Sequence, residues 1–265
     1  MMDVIKKMEG LGRFERRDVI REALLNLGIP YKVQKYATGE NIYVDGGKGE
    51  NIAIGSHYDC VAGSPGANDN ASAVAVALDV LARIKDEPLK NIGLTAFFFD
   101  EEENDLRGSQ AYVLEHGVKN LIGIYNMELV GSGEIVALWP VKNTDSSLLI
   151  TTLRIQADNS IVPTFCFEEL VTNTADHASF RMAGMADTAA FTLTTISGQD
   201  ILVGKAYREA RKRNSSMATL AEIIGQAPVF SNYHKASDSS DKLNEKTLRM
   251  VSDLLVATIR KLDKL

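Results

Sequence analysis

The sequence has few of the features that mark secreted, membrane-spanning or nucleic-acid-binding proteins. Only two of its 265 residues are cysteines, Cys60 and Cys166, and two thiols do not make a disulfide framework. No run approaches the roughly 18 apolar residues that a transmembrane helix needs. The charged N-terminus has no apolar signal core, and a formal net charge of −6 argues against general nucleic-acid binding. We therefore expect a cytoplasmic enzyme with neither a nucleic-acid nor a membrane partner; its oligomeric state, homo-oligomers included, is open.

What the sequence does contain is an ordinary globular composition, with 45% hydrophobic and 24% charged residues. Segments with the pattern of strands alternate with segments of helical periodicity, and we find neither internal repeats nor a convincing linker. This predicts an α/β fold over residues 1–265: a single three-layer domain whose mixed, mostly parallel central sheet is flanked by helices.

Apolar periodicity and turn residues predict the positions of the elements. The predicted helices cover residues 3–27 with a break at 10–12, then 71–84, 110–116, 146–158, 176–182 and 245–264. The predicted strands cover residues 31–36, 41–44, 52–55, 91–99, 121–126, 135–139, 164–167 and 188–193. The turn at 45–47 is interpreted as a hairpin. Residues 197–225 are interpreted as a surface excursion near the site, partly helical from 217.

The most informative stretch is IAIGSHYDCVAGSPGANDNASA, residues 52–73. An apolar strand runs into His57 and Asp59, and the C-terminal edge of an open α/β sheet is where such folds bind ligands. Residues i and i+2 of a strand share a face, so Asp59 can orient the His57 ring. Asp69 follows at the mouth of a helix. Taken alone, His57 would be an ordinary hydrogen-bonded histidine and Asp69 a helix cap.

The same pattern recurs at later strand ends. The strand ending in FFF continues into four acids at 100–103, Glu128 follows another apolar strand, and His234 lies in a polar loop. Alone, the acidic run could be a solvated turn and His234 a surface residue. Together, converging carboxylates would repel one another unless a cation joined them, and carboxylates with two histidines suit zinc. One carboxylate can bridge two metal ions ~3.5–4 Å apart.

Six short motifs occur in order along the chain: SHYD (56–59), GANDNAS (66–72), FFDEEENDLRGS (98–109), NMELVG (126–131), DHASF (176–180) and YHKASD (233–238). With them, the sequence resembles the co-catalytic two-zinc aminopeptidases over residues 52–240. That metallopeptidase family also contains glutamate carboxypeptidase and glutaminyl cyclase. The resemblance implies the zinc-exopeptidase, phosphorylase/hydrolase-like fold, a peptide substrate and two Zn²⁺ ions per chain, with Mn or Co as alternatives.

The resemblance also implies roles for individual residues. His57 and Glu128 would bind one zinc, Glu103 and His234 the other, and Asp69 would bridge the two. Asp59 would orient His57. Counting back from the Gly-Ser pair at 108–109, Glu102 would be the general base that takes a proton from the metal-activated water and passes it to the leaving amine. The implied enzyme is a metallo-aminopeptidase that releases N-terminal residues from peptides.

Some positions leave alternatives open. Glu128 stands where aminopeptidases of the family usually carry Asp, so cleavage from the carboxyl terminus, as by a zinc carboxypeptidase or dipeptidase, is an alternative. A single-zinc glutaminyl cyclase-like enzyme and a non-catalytic binding module are others. Asp100 and Glu101 are expected to be solvated or to lie behind the ligands, and the pair at 176–177 to serve packing and helix capping. Cys60 is expected to be a small buried thiol, and Tyr233 either an oxyanion donor or a core residue.

Overall fold

An eight-stranded mixed sheet forms the centre of the computed structural model, which describes residues 1–47, 49–168 and 175–265. In chain order the strands are β1 (Lys32–Lys35), β2 (Glu40–Val44), β3 (Asn51–His57), β4 (Gly93–Phe99), β5 (Leu121–Met127), β6 (Ile135–Trp139), β7 (Thr164–Cys166) and β8 (Ala190–Ile196). Across the sheet their order is β1-β2-β4-β3-β5-β8-β6-β7. The four central strands, β4, β3, β5 and β8, are parallel neighbours, whereas β2 and β6 run antiparallel to β4 and β8.

Helices cover both faces of the sheet. They are α1 (Met2–Met8), α2 (Arg13–Asn26), α3 (Ser72–Asp86), α4 (Arg107–His116), α5 (Leu148–Asn159), α6 (His177–Met182), α7 (Gly198–Lys212), α8 (Met217–Ile224) and α9 (Glu245–Leu262). On one face α3 and α9 pack together with α1, α2 and α5, and α4 and α6 cover the other. The predicted three-layer α/β fold is therefore confirmed. Within the described ranges, no helix combines the length and the apolar character needed to cross a membrane.

The run of three phenylalanines in β4 shows why a central strand is apolar throughout. Phe98 packs into the core beneath α3 and α9, whereas Phe97 and Phe99 point to the opposite face, where their rings stack with centroids 5.0 Å apart. All three are fully buried, and each such burial stabilises the fold by roughly 2–3 kcal/mol. Because both faces are covered, the strand shows no polar alternation.

Two predictions about local structure are wrong. The turn at 45–47 is not a hairpin, because β2 pairs with β1 and β4 while β3 lies beyond β4 and pairs with β4 and β5. Residues 197–225 are helical well before 217, since α7 begins after a capping box formed by Ser197 and Asp200. The apolar side chains of α7 at Ile201 and Tyr207 face inward, but most of the segment is exposed, so it is a helix pair at the surface, as predicted.

Candidate metal centre

His57 is the last residue of β3, and its ring is fixed from both sides. Nδ1 lies 3.2 Å from the carbonyl oxygen of Asp59 and 3.3 Å from its Oδ1. Nε2 lies 3.1 Å from Glu128 Oε2 and 3.3 Å from Asp69 Oδ1. With a cation in the cluster, Nδ1–H would donate to Asp59 and the Nε2 lone pair of the neutral ring would face the ion.

The Asp59 carboxylate also connects two strand ends. Its oxygens accept hydrogen bonds from the backbone N–H groups of Glu102 and Glu103, both at 3.1 Å. The exit of β3 and the acidic turn after β4 therefore hold each other in position. This contact accounts for the aspartate two residues after the histidine.

Asp69 lies in a tight turn, Ala67–Ala71, that precedes α3. Its Oδ1 is 3.3 Å from His57 Nε2, and its Oδ2 is 3.3 Å from His234 Nε2. The two oxygens of one buried carboxylate therefore face two different imidazoles. The backbone of the turn is held by Asp238, whose carboxylate accepts hydrogen bonds from the N–H groups of Asn68 at 2.9 Å and Asp69 at 3.1 Å.

Glu102 and Glu103 follow β4 and point into the same cluster. Glu103 Oε2 lies 3.1 Å from His234 Nε2, while its Oε1 is buried and has no hydrogen-bond partner among the described residues. Glu102 Oε2 lies 3.9 Å from His57 Nε2, too far for a hydrogen bond. Burial raises the pKa of Glu102 well above its usual value, and the negative charge of Glu128 adds to this against the opposing effect of His57.

Glu128 follows β5 and is held by two side-chain amides. Asn70 Nδ2 donates to its Oε2 at 2.7 Å, and Asn126 Nδ2 donates to its Oε1 at 3.0 Å. The sequence analysis missed both asparagines, as well as the role of Asp238. Each lies inside one of the quoted motifs, so the signal was present, although the motif alone does not say which contact each side chain makes.

His234 is the most exposed member of the cluster, with 34% of its side chain accessible, and it lies in a loop with φ +58°. Its ring stacks on Tyr233 with centroids 3.6 Å apart. Burial lowers the pKa of His234, but hydrogen bonds with Asp69 and Glu103 raise it more, to about 9. Without a metal ion, a proton on His234 partly neutralises this end of the cluster.

The donor set fits divalent zinc. Ligand atoms of His57, Asp69 and Glu103 lie within 4.8 Å of one another. The nitrogen–oxygen separations of 3.1–3.3 Å match the ~3.3 Å edge of a tetrahedron with zinc bonds of about 2.0–2.1 Å. Burial raises the pKa of both Glu103 and Glu128, against the opposing effects of His234 and His57. A cation among these donors would supply further positive charge.

Other predicted site residues lie outside this donor set. His177 Nδ1 is 2.8 Å from Thr192 Oγ1, and burial lowers the pKa of the ring to about 3, so it is a neutral packing residue. Asp176 occupies the N-cap position of α6, as predicted, but its side chain makes no capping hydrogen bond. Its carboxylate is fully buried, and burial raises its pKa to about 8.

The two acids that precede the Glu102–Glu103 pair are buried, so the solvated alternative for them is wrong. Glu101 forms an ion pair with Arg13 at 2.8 Å and also accepts a hydrogen bond from Thr38. Asp100 accepts hydrogen bonds from the backbone N–H groups of Glu40 and Glu101. Both side chains therefore support the acidic turn from behind.

A pocket opens directly onto the cluster, and its far walls are apolar. The residues that form these walls come from β6, the end of β7, β8, α8 and the loop that follows α8: Trp139, Phe167, Ile196, Ile224, Val229 and Phe230. Tyr233 lines the pocket beside His234, whereas Cys60 is half-buried elsewhere, with Sγ 3.9 Å from the Leu11 carbonyl oxygen. The pocket brings an apolar group and the metal donors together in one cleft.

Comparison with known proteins gives consistent matches. The profile of Peptidase family M28 matches residues 41–259. The probable lipoprotein aminopeptidase LpqL of Mycobacterium tuberculosis is 26% identical over 211 residues, which cover 76% of this chain and 41% of LpqL. The chain thus spans about two fifths of that relative's length.

Two solved structures show the fold. The zinc aminopeptidase BSAP of Bacillus subtilis superposes with a TM-score of 0.65 at 20% identity, covering 84% of this chain and 50% of BSAP. The glutaminyl cyclase of Porphyromonas gingivalis superposes with a TM-score of 0.72 at 14% identity, covering 98% of this chain and 95% of that enzyme. Both have the layered architecture described above.

Proposed function

The chain belongs to peptidase family M28, and from this premise we propose that it is a two-zinc aminopeptidase that hydrolyses N-terminal residues from peptides. One observation carries the proposal: the two oxygens of Asp69 each lie 3.3 Å from a different imidazole, His57 on one side and His234 on the other. A carboxylate in this position suits two cations better than one. BSAP, which has the same fold, is a zinc aminopeptidase.

The donors divide into two sets that share Asp69. His57 and Glu128 would hold one ion, and Glu103 and His234 the other. Counting Glu102, four carboxylates converge, and two divalent ions would balance their charge. When bound, such ions supply Lewis acidity, which polarises the scissile carbonyl and makes water acidic enough to act as a nucleophile near neutral pH.

Glu102 is the proposed general base. Its backbone is fixed by Asp59, and its carboxylate reaches the cluster without making the short contacts to histidine that Glu103 and Glu128 make. A carboxylate that lies beside the ions without such a contact could accept a proton from the attacking water and then give it to the leaving amine. Asp59, for its part, orients His57 through Nδ1.

The pocket supports a preference for an apolar N-terminal side chain. Its walls include the aromatic rings of Trp139, Phe167 and Phe230, and apolar walls with a few convergent polar groups are typical of small-ligand sites. The polar end of the pocket is the donor cluster, where the N-terminal amine and the scissile carbonyl would meet the catalytic groups. An N-terminal leucine or phenylalanine fits these walls better than a charged residue.

The test is a substrate screen on zinc-loaded protein together with a count of bound metal. We expect two zinc ions per chain and cleavage of peptides with a free N-terminus and an apolar first residue. Substrates with a blocked N-terminus should not be cleaved. If only peptides with a blocked N-terminus were cleaved, the aminopeptidase proposal would be wrong. If the chain bound one zinc and cyclised N-terminal glutamine, it would be a glutaminyl cyclase instead. The Glu102→Gln variant is the matched inactive control.

A further inference from the structure

The N-terminal helix α2 lies outside residues 41–259, yet one of its side chains reaches beneath the site. Arg16 is completely buried, and none of the described carboxylates lies within ion-pair distance of its guanidinium. Its neighbours on the same helix all pair with acids: Arg13 with Glu101, and Arg17 and Arg21 with Glu40. A buried cation without an acidic partner needs hydrogen bonds to compensate for the loss of water.

Backbone carbonyls provide those hydrogen bonds. Nη1 donates to the Tyr58 carbonyl at 3.3 Å, and Nη2 donates to the carbonyls of Pro65 at 2.6 Å and Gly66 at 2.9 Å. Nε donates to the Leu11 carbonyl at 3.2 Å. The planar guanidinium has five N–H donors in a fixed fork, so these acceptors are held at defined positions relative to one another.

Three of these four acceptors, all but Leu11, lie at the two ends of one loop. Tyr58 stands between His57 and Asp59, and Gly66 closes the loop immediately before the turn that carries Asp69. One rigid group therefore ties the strand end that presents the imidazole to the turn that presents the bridging carboxylate.

The fit at Gly66 is too tight for a side chain. A Cβ atom there would clash with Arg16 Nη2 and would lie 2.8 Å from Cys60 Cβ, and φ is +66°, which favours glycine. Gly63, in the same loop, also has a positive φ of +88°, but a Cβ atom there would meet nothing within 4 Å. The two glycines therefore separate backbone strain from steric contact with Arg16 and Cys60.

The geometry points to Arg16 as a positioning residue of the metal centre, which sets the separation of His57 and Asp69 by clamping both ends of the loop 58–66. The inference rests on the proposed metal function, and it adds a residue from a helix that the family profile does not cover. Lysine cannot replace the fork, because a single ammonium group cannot reach both ends of the loop with the same geometry.

The test compares Arg16→Lys and Gly66→Ala with the matched controls Arg17→Lys and Gly63→Ala in the full chain. Zinc affinity is measured by chelator competition, and hydrogen exchange of residues 58–69 is measured without metal. We expect Arg16→Lys and Gly66→Ala to weaken zinc binding by about 10–100-fold, as loss of ligand-orienting contacts does, and to speed hydrogen exchange in the loop. Both controls should bind zinc within about twofold of the wild type, since Arg17 contacts Glu40 and Asp18 instead.

The readouts separate a positioning role from general support of the fold. If Arg16→Lys lowers only the melting temperature of the metal-free protein and leaves zinc affinity, loop exchange and kcat unchanged, the inference is wrong. If the wild type binds no zinc, the proposed function fails. Loop exchange still decides the clamp in that case: faster exchange in both test variants supports it, and unchanged exchange overturns it.

Discussion

Asp238 offers a quantitative test of how the bridging ligand is held. Its carboxylate is 1% exposed and accepts hydrogen bonds from the backbone N–H groups of Asn68 and Asp69. Alanine at this position leaves both buried donors without an acceptor, and each unsatisfied group costs about 1–3 kcal/mol. We therefore expect Asp238→Ala to lower the free energy of unfolding by roughly 2–6 kcal/mol, and Asp238→Asn, which keeps one acceptor oxygen, by about half as much.

The assay is urea unfolding of the metal-free protein, followed by chelator competition for zinc. Both variants should also bind zinc more weakly, since the released N–H groups belong to the turn that presents Asp69. Asp241→Asn is the control, because this nearby carboxylate is exposed and its side-chain partners among the described residues, Ser239 and Lys242, lie in its own loop. If Asp238→Ala unfolds within ~0.5 kcal/mol of the wild type, the two N–H groups have found other acceptors and the reasoning fails.

Three further predictions concern charge, catalysis and pocket shape. In the metal-free protein, protonated His234 should stabilise the fold fully below pH 6.5, and this stabilisation should be lost as the pH rises through about 9. Zinc binding below pH 9 should therefore release the proton of His234, which calorimetry in two buffers would measure. Glu102→Gln should lower kcat by about 10²–10⁴-fold in steady-state assays while metal analysis shows unchanged zinc content. Gly204→Ala should raise KM more for peptides that begin with a large apolar residue than for peptides that begin with alanine. The reason is that the new Cβ would lie 2.5 Å from the Phe167 ring in the pocket wall. Equal changes in KM for the two kinds of peptide would contradict this prediction.

The sequence predicted the fold and the grouping of the candidate ligands because both follow from the topology. His57 ends β3, and Glu103 and Glu128 follow β4 and β5; these three strands are parallel neighbours, whose carboxyl ends must meet at one edge of the sheet. His234 could be added only through its motif, since no local pattern links a loop near the C-terminus to that edge. Strand periodicity and the order of the motifs were sufficient to predict the fold and the grouping of the candidate ligands.

Contacts made at long range could not be predicted in the same way. Asp238 accepts a hydrogen bond from a turn 170 residues earlier. From the sequence alone, an aspartate that accepts backbone hydrogen bonds cannot be distinguished from one that is a surface charge. Arg16 lies on a helix that is strongly polar in composition, so nothing in its pattern predicts complete burial. The wrong hairpin at 45–47 has a similar cause: a Gly-rich turn indicates a change of direction but does not say which strand becomes the neighbour.

The longer side chain at position 128 does not disturb the donor geometry. Glu128 Oε2 lies 3.1 Å from His57 Nε2, the same separation as between Glu103 Oε2 and His234 Nε2 on the other side of Asp69. The extra methylene is accommodated because Asn70 and Asn126 each hold one carboxylate oxygen and so fix the far end of the side chain. The departure from aspartate therefore gives no reason to expect a different metal arrangement. The choice between amino- and carboxyl-terminal cleavage must instead depend on the side chains that bind the substrate beyond the metal ligands. In this pocket those side chains are mainly apolar and aromatic, and none of the described lining residues is a lysine or arginine that could bind a terminal carboxylate.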